Sequence, residues 1–317
     1  MRFSLTVILS FLFVAVYSQE NIPKDSLTLH PNAIVVTLLG TGAPPPSMIR
    51  FGPSILVQAG TETLLFDAGR GCLQRLQQLA IPYSKINALF LTHLHSDHLV
   101  GLPDLWLTGW LVSERKVPLK VFGPSGSTDM VNNLRKAFAF DIHARESNNK
   151  AVDSGSKLLV KEMIQGIVYD KNGVKVIAFK VDHYPNIPAF GFRIEYKGHS
   201  VVLSGDTRYS KNLINFAKGT DLLIHEVCNT SGIVNATDSK YHIVAHHVTI
   251  EQAAAIFNEV KPRLAAYSHI TNPYRRTEDD ILKRTKAIYP GDTVLGEDLM
   301  NFTVEENITV HAWQKNR

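Results

Sequence analysis

Apolar positions along the chain fall into short runs with two different periods, separated by clusters of Gly, Pro, Asn and Asp. The β-rich run at 33–39 ends at Gly40-Thr41-Gly42 and Pro44-Pro45-Pro46, where fixed φ and missing donors stop a strand. Runs at 55–58 and 63–66, parted by Ala59-Gly60-Thr61-Glu62, predict a hairpin. Leu73, Leu76, Gln77 and Ala80 then follow helical spacing, and 88–91 reads as a short buried strand. Further strands are predicted at 120–122, 174–181, 190–195, 200–203, 222–224 and 264–267, alternating with helices near 128–139 and 211–216. Thr249 and Gln252 have capping-box spacing ahead of Ala253-Ala254-Ala255-Ile256-Phe257, Thr277 with Asp280 marks another helix start, and 300–303 with 308–311 predicts a closing hairpin. With no low-complexity linker and no short tandem repeat, this order predicts one layered α/β domain with two sheets.

The 317 residues give room for a large core, and 44% hydrophobic with 20% charged is a globular composition, not a disordered one. Lys plus Arg (33) barely exceed Asp plus Glu (29), a small excess for a protein that binds chiefly by neutralising phosphate backbones. Nucleic acid is therefore a permitted partner but not the favoured one. Cys72 and Cys228 cannot supply a disulfide scaffold or a four-thiolate zinc site. One disulfide between them stays open, and separate buried thiols are favoured.

Arg2 ahead of the apolar run at 5–16, with Ser18 as a small residue behind it, predicts a secretory signal peptide over 1–18. Cleavage near Ser18 leaves a mature domain at 19–317, secreted or periplasmic. A membrane anchor is the alternative, but about 12 apolar residues fall short of the ~20 that cross a bilayer. No later segment is apolar enough to span one. Sequons begin at Asn229, Asn235, Asn301 and Asn307.

The densest chemistry follows the 88–91 strand, in Thr92-His93-Leu94-His95-Ser96-Asp97-His98. In extended backbone His93 and His95 point the same way, while a turn at Ser96 brings Asp97 and His98 to an adjacent point, giving two convergent ligand pairs and a place for two metals. A polar surface loop is the plainer alternative. The segment resembles the H-x-H-x-D-H signature of the metallo-β-lactamase superfamily, over nearly the whole mature chain. That resemblance implies a four-layer αββα sandwich with the metals along the sheet edge. It also implies that His93, His95 and His183 ligate a first zinc, that Asp97, His98 and His269 ligate a second, and that Asp206 bridges them. His183 precedes Phe190-Gly191-Phe192, Asp206 follows the 200–203 strand, and His269 follows the 264–267 strand. Taken singly, either histidine is more often structural and Asp206 a turn residue. Nitrogen and oxygen donors suit two Zn2+, and also Mn2+ or Fe2+.

His225-Glu226 and His247-Val248-Thr249 resemble the H-E and H-S/T-T segments of the ribonuclease Z branch. The resemblance implies His247 as proton donor and Glu226 as the carboxylate that orients it, with Asp97 completing the catalytic set. Asp67 in Phe66-Asp67-Ala68-Gly69 resembles the acidic residue that supports a zinc-bound histidine. The chain also departs from that branch. Arg70-Gly71-Cys72 stands in place of an acidic Gly-Glu-Gly turn, Pro45-Pro46-Ser47-Met48-Ile49-Arg50 lacks the P-x-K-x-R-N segment, and no Gly/Pro-rich basic arm falls between Phe140 and Val181. The stretches 38–42, 66–71 and 101–110 look closer to an exported arylsulfatase-like group on the same fold.

The implied activity is hydrolysis of a small anionic ester, aryl sulfate ahead of phosphodiester, by a hydroxide activated between the metals. A centre with net charge of about +1, after Asp97, Asp206 and the hydroxide are counted, suits an anion. A ribonuclease Z-type endoribonuclease, a lactonase and a metal-binding protein without turnover are the competing readings. Trp106 and Trp110, four apart on a predicted helix, flank an aryl group or pack in the core, the core being favoured. A homodimer stays open.

Overall fold

Short buried runs followed by turn residues become strands, and the loops that follow the strands at 88–90, 174–181 and 199–203 bring the expected ligands to one edge of the molecule. The computed structural model describes residues 31–148, 154–230 and 237–313; the expected signal peptide over 1–18 and the sequon at Asn235 lie outside these. In chain order the elements are β1 (Ile34–Gly40), β2 (Ser54–Ala59), β3 (Glu62–Phe66), α1 (Cys72–Gln78), β4 (Ala88–Phe90), α2 (Leu102–Leu111), β5 (Leu119–Gly123), α3 (Ser127–Ala137), α4 (Ala139–Asn148) and β6 (Leu158–Glu162). The second half follows with β7 (Gly166–Lys171), β8 (Val174–Val181), β9 (Ala189–Tyr196), β10 (His199–Leu203), α5 (Lys211–Ala217), β11 (Leu222–Cys228), α6 (Tyr241–Val244), α7 (Ile250–Val260), β12 (Leu264–Thr271), α8 (Asp279–Lys286), β13 (Thr293–Leu295), β14 (Asn301–Val304) and β15 (Ile308–His311).

One sheet has the order β15-β14-β1-β2-β3-β4-β5-β6, the other β13-β12-β11-β10-β9-β8-β7. Alternation on each strand divides the side chains between two layers. On β11, Leu222 and Ile224 enter the core between the sheets, while Leu223 and Val227 pack beneath α5 and α7 with Leu213 and Phe257. The inter-sheet core is aromatic: Phe66, Phe90 and Phe122 stack in series at 4.9 Å and Phe192 meets them from the facing sheet. Leu76, Leu105, Trp106 and Val131 cover the outer face of the first sheet. This is the four-layer αββα sandwich.

Local signals read from the sequence hold in detail at α7, where Gln252 N–H donates to Thr249 Oγ1 and Thr249 N–H donates to Gln252 Oε1, the reciprocal capping box. Thr277 does not start α8 as expected. The helix begins at Asp279 after Glu278, whose side chain makes no cap bond, and the Thr277 carbonyl accepts from Asn229 Nδ2 instead. Trp106 is fully buried, donating Nε1–H to Ser156 O, so the tryptophan pair packs in the core and leaves the aryl role without support. Cys72 and Cys228 are both buried, unpaired thiols. No helix among the described residues is long and apolar enough to cross a membrane.

Candidate metal centre

The segment from His93 to His98, His183 and Asp206 each follow a strand that runs out at the shared edge, β4, β8 and β10. After β4, Thr92 to His98 turn back through a short 3-10 turn at Ser96–His98. The two halves are tied together there, because Phe190 N–H donates to Thr92 O. Asp206 follows β10 through Gly205, whose φ of 59° and tight fit demand glycine: a Cβ would lie 2.5 Å from Phe190 O.

His269 is the instructive exception. The expectation placed it after a strand ending at Tyr267, yet β12 runs on to Thr271 and His269 lies inside it. Register jumps there, Glu226 facing Ser268 and Val227 facing Ile270, so His269 is the extra residue of a β-bulge with φ 43°. The bulge re-aims its ring toward the edge.

The donor atoms converge. His93 Nε2 is 2.9 Å from His95 Nδ1, which is 3.2 Å from His183 Nε2. Asp206 Oδ2 lies 3.8 Å from His93 Nε2, 3.9 Å from His183 Nε2, 3.4 Å from His98 Nε2 and 3.3 Å from His269 Nε2. Asp97 Oδ2 is 3.4 Å from His269 Nε2 and 3.6 Å from His98 Nε2. Ligands about 2.0–2.1 Å from a tetrahedral cation stand roughly 3.3 Å apart, so this spacing is that of a coordination shell. His93, His95, His183 and Asp206 form one candidate group, Asp97, His98 and His269 another. The buried His98 Nε2 and Asp206 Oδ1 have no hydrogen-bond partner among the described residues. Buried polar atoms are rarely left so, and a cation held by this set would satisfy both. The residues fit a divalent metal.

A surrounding set of acceptors fixes which ring nitrogen is free. His183 Nδ1–H donates to His246 O at 2.8 Å, and His98 Nδ1–H donates to Asp67 Oδ2 at 2.7 Å, leaving each Nε2 for a metal. Burial pulls the His93 imidazole well below its ordinary pKa and His183 down to about 4, keeping both neutral as ligands must be. Burial works against charge at His98 too, but the Asp206 and Asp67 carboxylates outweigh it and hold His98 well above the usual histidine range.

Beside this set stands the expected dyad. His247 Nδ1–H donates to Glu226 Oε1 at 3.0 Å, and the His247 ring lies 5.6 Å from that of His269. Glu226 is held in turn by Thr207 N–H on Oε1, and its own N–H donates to Ser204 Oγ. Burial lowers the His247 pKa, and Glu226 more than offsets this, lifting it to about 9. Sequence reasoning missed Thr92, which donates N–H and Oγ1–H to Asp67 and lies 2.9 Å from His93 Nδ1, and it missed His246, which acts through its carbonyl. A cavity of about 490 Å³ opens over the centre, lined by His95, Asp97, Asp206 and His247 on one side and by Pro44, Pro45, Ile243, Ile270 and Pro273 on the other.

Residues 34–248 match the family model described as Anti-Pycsar protein Apyc1. The ribonuclease Z of Mycolicibacterium gilvum is 35% identical over 279 residues, spanning 87% of this chain and 98% of that protein. Among solved structures, the metallo-β-lactamase fold protein YhfI of Bacillus subtilis superposes with a TM-score of 0.67 at 20% identity, covering 86% of this chain and all of that one. Zinc-bound PqqB of Methylobacterium extorquens gives 0.62 at 17% identity, covering 84% of this chain and 99% of that one. Sequence, fold and converging ligands together make this chain a metal-dependent hydrolase that belongs to the Anti-Pycsar protein Apyc1 family and to the ribonuclease Z-like branch of the metallo-β-lactamase superfamily.

Proposed function

We propose that the protein is a dinuclear zinc phosphodiesterase whose leaving group is a sugar hydroxyl, with RNA as its substrate. This reverses the order taken from the sequence, where aryl sulfate stood first. One observation carries the choice: the His247–Glu226 dyad at 3.0 Å beside the ligand set. An alkoxide is a far poorer leaving group than a phenoxide, so a positioned proton donor is needed for a sugar ester and adds little for an aryl ester. The relatives named ribonuclease Z support the same reading.

His93, His95 and His183 would hold one cation, Asp97, His98 and His269 the other, and Asp206 both. A bound pair of divalent cations supplies a water of lowered pKa and neutralises charge at phosphorus. Glu226 fixes the His247 tautomer, and the Nε2–H of His247 passes its proton to the departing oxygen. Pro44, Pro45 and Ile243 give that side of the cavity an apolar wall.

The test is a panel assayed with and without chelator: an RNA carrying a 3′ extension, bis-nitrophenyl phosphate, nitrophenyl sulfate and a lactone. Phosphodiester cleavage that chelation abolishes is expected. Faster hydrolysis of the sulfate than of either phosphodiester overturns the reading. Export belongs to the same proposal, and N-terminal sequencing of chain recovered from medium tests cleavage near Ser18.

A further inference from the structure

The segment from Pro45 to Arg50 separates two cavities. On its metal side is the 490 Å³ cavity described above; on its far side is a second of about 390 Å³, and Pro45, Ser47 and Arg50 line both. Phe51 and Gly71 contribute to the second cavity's wall, and its lining includes no carboxylate.

Arg50 and Arg70 line it and Arg75 stands behind Phe51, and the three differ in what they can offer. Arg50 is already spent: Nε and Nη2 grip both oxygens of Glu278 at 3.0 and 2.6 Å, and Nη1 donates to Thr41 Oγ1 and Gly296 O. Arg75, whose guanidinium lies over the Phe51 ring at 4.0 Å, is paired with Asp298. Arg70 is exposed and its guanidinium has no hydrogen bond or ion pair among the described residues. Its backbone is fixed, since Gly52 N–H donates to Arg70 O, so the side chain projects from a held anchor. Arg70 is also where the sequence departs from an acidic turn.

We propose that this second cavity is an anion subsite in which Arg70 receives a further phosphate of a nucleotide substrate whose scissile phosphate lies at the metal centre. The inference rests on the phosphodiesterase reading and adds that the substrate carries at least two phosphates, one on each side of the Pro45–Arg50 segment. A free guanidinium matches a phosphate in charge and in bidentate geometry.

The test uses the zinc-loaded protein and two inhibitors of bis-nitrophenyl phosphate hydrolysis, a nucleoside 5′-monophosphate and the corresponding 3′,5′-bisphosphate. The bisphosphate should inhibit about tenfold more tightly, a preference that shrinks with added salt. Arg70→Ala and Arg70→Glu should abolish the preference, and Arg70→Lys should retain part of it, which guards against a merely unfolded variant. Equal inhibition constants in the unaltered protein, or a preference that survives Arg70→Glu, overturn the subsite. If bis-nitrophenyl phosphate is not hydrolysed at all, the phosphodiesterase reading fails by itself. Calorimetric titration with the same two nucleotides then still decides whether Arg70 binds the second phosphate.

Discussion

His98 presents its Nδ1–H to Asp67 Oδ2 at 2.7 Å while its Nε2 faces Asp97 and Asp206, so one ring joins a carboxylate behind the centre to two carboxylates within it. Asp67 holds this position from a left-handed backbone, φ 59°, and also accepts Thr92 N–H at 2.8 Å. Removing the carboxylate frees the ring to rotate and lowers its basicity. Asp67→Ala should therefore weaken metal binding about 10–100-fold without loss of fold. Metal titration followed by circular dichroism checks this; unchanged affinity would leave Asp67 as an ordinary turn residue.

Metal binding should release a proton. Without a cation, the carboxylates around His98 keep its imidazole protonated well above the usual range, against the effect of burial. A metal must displace that proton, while His93 and His183 are already neutral and give up none. Affinity should fall as pH falls, by up to about tenfold per unit. Calorimetry in buffers of different ionisation enthalpy reads the proton directly, and an enthalpy independent of buffer would refute the assignment.

The parts of the fold that were legible in the sequence are those that one segment specifies alone. The buried strand before Thr92 and the Thr249–Gln252 cap need no distant partner to be recognised. β6 and β7 were not foreseen: each is the edge of its sheet, with Leu159 and Ile167 exposed, so the alternation that marks a half-buried strand is blurred. α6 buries none of its residues and has no apolar stripe to read. The ligands were found by residue type and order, but the means of aiming them was not. The bulge at His269 and the His246 carbonyl behind His183 are backbone features without a side-chain signature.

The two cysteines should remain separate thiols even in an oxidising medium. Burial lifts the Cys72 thiol to about 12, with Asp104 adding to it, and burial also raises Cys228, with Glu226 adding to it. Cys72 packs in the outer layer with Leu76 and Leu105, whereas Cys228 ends a strand of the opposite sheet. Iodoacetamide at pH 8 should label neither in the native protein and both after denaturation. Recovery of a disulfide-linked peptide pair from unreduced protein would contradict this.

The strongest check on the chemistry is how His247 responds to the leaving group. A general acid must hold its proton, and Glu226 lifts the His247 pKa to about 9 against the effect of burial. Bound cations pull that value down, so cleavage of an RNA phosphodiester should fall as pH rises through a value at or below about 9. Glu226→Gln removes the charge that supports the imidazolium and should move the fall to lower pH. His247→Ala should retain metal and slow RNA cleavage by about 10²–10⁴-fold, with much less slowing of bis-nitrophenyl phosphate, whose phenoxide leaves unaided. Equal slowing of both substrates would place His247 in ground-state positioning or metal support instead. The pH profile separates those two roles from proton donation, because neither predicts an alkaline limb that Glu226→Gln displaces.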